Sequence, residues 1–256
     1  MPAAETAKMG RKERERLPHE RNGPAMVVYV WQYGLRLAHW GLFVSMIVLG
    51  YTGYYIHNPF IPGRTDIPFL MGWFRLVHEY AAVVFTALCL LRFWLFFRGN
   101  YWAGWRQIVP LKPSQFREMT EIMMFYAFLR PRSIPRVGHN AAAAASYIAV
   151  YGMAFLEIVT GLVLYNWQFH SAVLNPLVGW IPLVVNIQYI RLIHFLMTFA
   201  FIAYGIVHVH LCLINAKLEK CGLMDSIFTG YKVIPVEEIN KEDREAIERL
   251  QEGRTP

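Results

Sequence analysis

The chain repeats one four-residue phrase three times: RLAH ending at His39, RLVH ending at His78 and RLIH ending at His194, among only nine histidines. An imidazole gives a lone pair to a metal, and a guanidinium three residues earlier on a helix shares its face and binds carboxylates through paired hydrogen bonds. A fourth histidine, His208 in GIVHVHLC, follows His194 by 14 positions, and Arg92 follows His78 by the same interval. These types and spacings suit the coordination of a metal carried in an anionic frame.

The elements that must position them are long and apolar. Of the 256 residues, 55% are hydrophobic and 17% charged. Four runs, Leu35 to Tyr55, Trp73 to Phe97, Ala141 to Leu164 and Arg191 to Ile214, reach the ~20 residues that cross ~30 Å of hydrocarbon. The expected fold is an all-α integral membrane protein with four transmembrane helices. Six basic residues precede Pro24, seven lie from Arg98 to Arg136 and seven follow Ile214, whereas the other side holds only Arg64, Arg75 and Arg191. That asymmetry puts both termini in the cytoplasm. Residues 1–26 show no apolar leader core and read as a disordered cytoplasmic tail; residues 27–216 form the bundle and 217–256 a C-terminal cytoplasmic tail. The net charge of +7 follows from the same asymmetry, so no nucleic-acid partner is needed to explain it. Cys89, Cys212 and Cys221 form no C-x-x-C or C-x-x-C-H pattern, which excludes a cysteine zinc site and covalently attached haem.

With the N-terminus inside, His39 lies near the cytoplasmic end of the first span, and His78 and His194 near the outer ends of the second and fourth. Fourteen residues return a helix to within roughly 40° of the same face about 21 Å further along. His208 therefore sits at the depth of His39, and the four histidines make an outer pair, His78 with His194, and an inner pair, His39 with His208. Two such pairs fit two non-covalent, six-coordinate b haems stacked across the membrane, a dihaem bundle. Arg36, Arg75 and Arg191 then face haem propionates or anchor the interface, and Arg92 faces the propionates of the inner haem. His210 falls near the opposite face and is the alternative to His208. Glu157 is a further ionisable group in hydrocarbon, placed to accept from a ligand histidine or to assist proton movement. VLGYTGYYI in the first span is echoed by LEIVTGLVLY in the third, which suggests two related hairpins. Gly50, Gly53, Gly152 and Gly161 allow close approach either of helices or of a flat macrocycle. Between the second and third spans, SQFREMTEIMMFYAFLRP reads as a cytoplasmic amphipathic helix.

The stretches YVWQYGLRLAHWG, MGWFRLVHEYAAVVF, LLRFWLFFRGNYWAGWRQIVP, GHNAAAAASYIAVY, TGLVLYN and SIFTGYK, in order from Tyr29 to Lys232, resemble the b-type cytochrome subunit of membrane-bound nickel-iron hydrogenases. They are more distantly similar to the gamma subunit of respiratory formate dehydrogenases. The most specific stretches are FRGNYWAGW and GHN. The resemblance implies a subunit of the prokaryotic inner (cytoplasmic) membrane, with the iron-sulfur small subunit and the nickel-iron large subunit on its outer face. It implies electron transport from hydrogen through two b haems to a quinone, menaquinone or ubiquinone. By position the family's haem ligands fall on His39, His78, His194 and His208. The quinone site is expected beside the inner haem, near the GHN start of the third span, with His139 and Asn140 as candidate polar contacts, for which helix capping is the other reading. The chain departs from the pattern at Ala38, at GHNA in place of GHNP, and at His210. Two other readings are a cytochrome serving formate dehydrogenase or another molybdenum enzyme, and a membrane anchor without redox function.

Overall fold

A computed structural model of the chain describes residues 24–61, 69–109, 113–126, 129, 137–138, 141–219, 222–236, 239 and 241–252. In chain order these form β1 (Ala25–Tyr29), α1 (Tyr33–His57), α2 (Leu70–Arg98), a 3-10 turn (Tyr101–Ala103), α3 (Trp105–Ile108), α4 (Pro113–Tyr126) and α5 (Ala141–Phe169). The chain continues through α6 (Asn175–Val178), α7 (Ile181–Val184), α8 (Ile187–Glu219), α9 (Leu223–Thr229), β2 (Tyr231–Pro235) and α10 (Lys241–Gln251).

Hydrocarbon offers backbone amides no water, so a spanning segment closes its hydrogen bonds on itself as a helix. The four expected runs are the helices α1, α2, α5 and α8, each long and apolar enough to cross a membrane. Each helix outruns its expected stretch: α2 starts at Leu70 and α8 continues to Glu219. Hydropathy marks only the part of a helix that lies in lipid, and the backbone has no reason to unwind where polar residues begin. Hydroxyls inside the spans are satisfied locally: Ser45 donates to Gly41 O at 2.7 Å and Thr86 to Ala82 O at 2.8 Å.

Packing is unequal. α1 lies along α2 and α5 along α8, whereas contacts between the two hairpins are sparse. Where the hairpins do meet, at mid-depth, Phe85 of α2, Ala154 of α5 and Phe201 of α8 are buried together, with Leu42, Met46 and Leu49 of α1 against them. Phe85 and Phe201 meet edge to face, with centroids 6.4 Å apart.

Among the described residues the departure from an all-helical reading lies at the end of the bundle where α1 begins. There β1 and β2 pair antiparallel, from Ala25 opposite Pro235 to Tyr29 opposite Tyr231. The pair is five residues long, too short for alternation to stand out in the sequence. Val30, Trp102, Val137, Ile234 and Ile247 form a buried core beneath it, so residues from both ends of the chain close over the same end of the spans. Asn100 ties this cap to the second span: its side chain donates to Val30 O at 2.7 Å and accepts from the Ala103 amide at 3.2 Å. Trp31 Nε1 donates to Ser226 Oγ at 3.1 Å, and the Val137 amide donates to Asp243 Oδ2 at 3.2 Å. Gly230, at φ 90°, makes the turn into β2 that a side chain would strain.

α4 forms within the segment read as amphipathic and turns Glu118 and Ile122, four residues apart, inward. Tyr126 at its end accepts from Asn215 of α8 at 2.8 Å.

Trp102 is 2% exposed at the centre of the cap, whereas Trp180 is 58% exposed. Trp102→Ala should therefore destabilise the cap by about 3–5 kcal/mol, seen as a lower thermal midpoint in detergent, and Trp180→Ala should leave that midpoint nearly unchanged.

Candidate functional site

Both histidine pairs form, and each bridges the two hairpins. The rings of His78 on α2 and His194 on α8 have centroids 6.4 Å apart. Those of His39 on α1 and His208 on α8 are 6.3 Å apart. An ion held between two imidazoles by bonds of about 2 Å separates the ring centres by roughly 6 Å, so both spacings suit a metal seated between the rings. Among the described residues no cluster of three or more His, Cys, Asp or Glu side chains is placed to hold a metal. Each pair thus offers two donors, and contacts between the two hairpins that carry them are sparse. α8, which contributes one ring to each pair, is the least buried of the four spans.

His78 and His194 are held alike. His78 Nδ1 lies 2.9 Å from Thr52 Oγ1 of α1, and His194 Nδ1 lies 2.9 Å from Thr160 Oγ1 of α5. Each threonine also donates back to its own helix, Thr52 to Val48 O at 2.7 Å and Thr160 to Leu156 O at 2.8 Å. Each is followed by a glycine over which the histidine lies. A Cβ on Gly53 would sit 3.1 Å from His78 Cε1, and one on Gly161 3.3 Å from His194 Cε1. The Thr-Gly echo between the first and third spans thus builds two equivalent seats. Sequence reasoning singled out the glycines and passed over the threonines; the repeat was the signal that marked both. Glu157, one turn before Thr160, brings Oε2 to 3.3 Å from His194 Nδ1.

The second pair is supported differently. His39 Nδ1 is buried without a hydrogen-bond partner. His208 stacks on Tyr204 at 5.8 Å with planes 9° apart, and Cys212 Sγ lies 3.9–4.0 Å from its ring nitrogens. His208 and His210 are both exposed on α8, and the ring 6.3 Å from that of His39 is that of His208.

The four arginines divide. Arg92 is 4% exposed, and both terminal nitrogens of its guanidinium are buried without a hydrogen bond. The faces of Tyr147 and Tyr151 lie 5.4 and 5.8 Å from it. A guanidinium in hydrocarbon without an anion is costly, so this is a position built for a negative group. Arg36 donates to Phe228 O and leaves Nε buried and unbonded. Arg75 is exposed, and Arg191 reaches Gln188 Oε1 at 3.4 Å on the surface. The donor pairs, the glycine seats and Arg92 without a hydrogen bond together fit a haem. His139 and Asn140 lie outside the described residues.

Residues 30–230 match the family model described as prokaryotic cytochrome b561. The chain is 33% identical over 151 residues to the probable Ni/Fe-hydrogenase 1 B-type cytochrome subunit of Escherichia coli (strain K12), a match covering 58% of this chain and 64% of that relative. It is 30% identical over 213 residues to the probable Ni/Fe-hydrogenase B-type cytochrome subunit of Azotobacter vinelandii, covering 80% of this chain and 88% of the relative. To the protein of that name from Cupriavidus necator it is 28% identical over 216 residues, covering 80% and 86%.

The seats make a steric prediction. Gly161→Val and Gly53→Val should drive the histidine above them off its threonine and lower the thermal midpoint in detergent. Gly152→Ala, whose Cβ meets nothing within 4 Å, should hold or slightly raise it through the gain in helix propensity.

Proposed function

The chain belongs to the prokaryotic cytochrome b561 family, and from that premise we propose that it is the dihaem b-type cytochrome subunit of a membrane-bound nickel-iron hydrogenase. In this reading it anchors the iron-sulfur small subunit and the nickel-iron large subunit at the His78 and His194 end, and passes electrons to quinone at the His39 and His208 end. The hydrogenase partners are taken from the names of the relatives and from the stretches FRGNYWAGW and GHN. The observation that carries the electron-transfer reading is the occurrence of two histidine pairs, 6.4 and 6.3 Å between ring centroids, each spanning the cleft between hairpins.

His78 with His194 and His39 with His208 would hold two non-covalent b haems. Bound there, haem would supply one-electron transfer and leave no open position for a substrate. Arg92 supplies the charge partner for the propionates of the His39 and His208 site. Arg36 faces the same site with its one unbonded nitrogen, and Arg75 and Arg191 meet propionates at the exposed rim of the other. The apolar cluster of Phe85, Ala154 and Phe201 separates the two sites and keeps water out of the space between them.

The asymmetry of basic residues sets the His39 and His208 end on the cytoplasmic side of the inner membrane, together with both termini. Quinone reduction there draws protons from the cytoplasm, with His139 and Asn140 as the quinone's polar contacts and α4 lying over that face. Hydrogen oxidation on the outer side and proton uptake on the inner side then charge the membrane.

Pyridine haemochrome quantitation on the purified chain tests the ligand assignment. The parent should carry two b haems per chain, and His78→Ala and His208→Ala about one each. One haem or none in a parent expressed with ample haem sinks the reading.

A further inference from the structure

We propose that Thr52, Thr160 and Glu157 are positioning residues that hold the haem between His78 and His194 at a lower potential than the haem between His39 and His208. The inference rests on the ligand assignment proposed above.

A threonine hydroxyl has one proton. In both seats it is committed to the backbone, to Val48 O at 2.7 Å and to Leu156 O at 2.8 Å. Toward the imidazole the hydroxyl can therefore only accept, so Nδ1 of His78 and of His194, each 2.9 Å away, must carry the ring proton. That fixes one tautomer and leaves Nε2 with its lone pair free for iron. Because each hydroxyl is pinned to its own helix, it keeps this orientation whether or not a haem is bound. An acceptor on the far nitrogen also makes the imidazole a stronger donor, which favours the ferric state and lowers the potential.

The hairpins differ at one position of the seat. Three residues before Thr160 stands Glu157, and three before Thr52 stands Leu49. The carboxyl of Glu157 brings Oε2 to 3.3 Å from His194 Nδ1, beside the ring and with no hydrogen bond of its own. Among the described residues the other pair has neither device: His39 Nδ1 is buried without a hydrogen-bond partner, and His208 meets a thiol sulfur, a weak acceptor, at 3.9–4.0 Å. Both differences act in the same direction, and they make electron flow from the first site to the second run downhill.

The test is a spectroelectrochemical titration of the solubilised complex, with haem counted in each sample. Thr160→Val keeps the shape and loses the hydroxyl, Thr160→Ser restores it, and Glu157→Gln removes the carboxylate. With two haems per chain, Thr160→Val should make the lower-potential haem easier to reduce by about tenfold, about 59 mV for a one-electron couple, and leave the higher-potential haem in place. Thr160→Ser should return the parent value, and Glu157→Gln should raise the lower potential alone. Unchanged potentials in Thr160→Val, or a shift confined to the higher-potential haem, would overturn the inference. If Thr160→Val retains only one haem, Glu157→Gln decides by the same criterion. A parent with fewer than two haems instead defeats the ligand assignment.

Discussion

A polar side chain inside hydrocarbon finds only protein and bound groups to pair with, and this constraint governs the arrangement of the bundle. The chain carries four imidazoles, one guanidinium and one carboxyl along the inner faces of its spans, where each is costly unless occupied. Two of the imidazoles are bound by threonine, and one of those is also approached by Glu157. His39 Nδ1 and both terminal nitrogens of Arg92 remain without a hydrogen bond. Threonine hydroxyls thus partner His78 and His194, while at the other end of the bundle Arg92 is held between the faces of Tyr147 and Tyr151.

The same constraint explains the division into hairpins. Helices that packed tightly along their whole length would leave no room between facing histidines. Here the tight packing is within each hairpin and at the mid-depth cluster around Phe85 and Phe201, and the two histidine pairs lie at either side of that cluster. The cap made by β1, β2, α9 and α10 adds a fixed end. Arg36 of α1 is bonded to Phe228 of α9, and Trp40, next to His39, lies 4.7 Å from the Phe228 ring. Segments outside the spans therefore help to hold the neighbourhood of the His39 and His208 pair.

Much of this was legible in the sequence because its signals were long or repeated. Four apolar runs identified the spans, and a 14-residue interval placed His194 and His208 on one face and separated His208 from its near neighbour His210. Arg92 was legible for the same reason. What escaped were features that depend on how helices meet. Thr52 and Thr160 look like ordinary residues of an apolar span until α2 and α8 bring a histidine to each. The strand pair is five residues from each end of the domain and has no local signature. The distinction among the arginines, with Arg92 buried and Arg75 and Arg191 on the surface, came from packing and could not be read from a motif they largely share.

The central claim is that each of the two cross-hairpin pairs holds one iron by two imidazoles. Low-temperature electron paramagnetic resonance of the oxidised, purified complex addresses it directly. The account predicts two low-spin ferric haem signals of equal intensity, one of them lost in His78→Ala and the other in His208→Ala. A single low-spin signal, or a stoichiometric high-spin ferric signal in the parent, would contradict it.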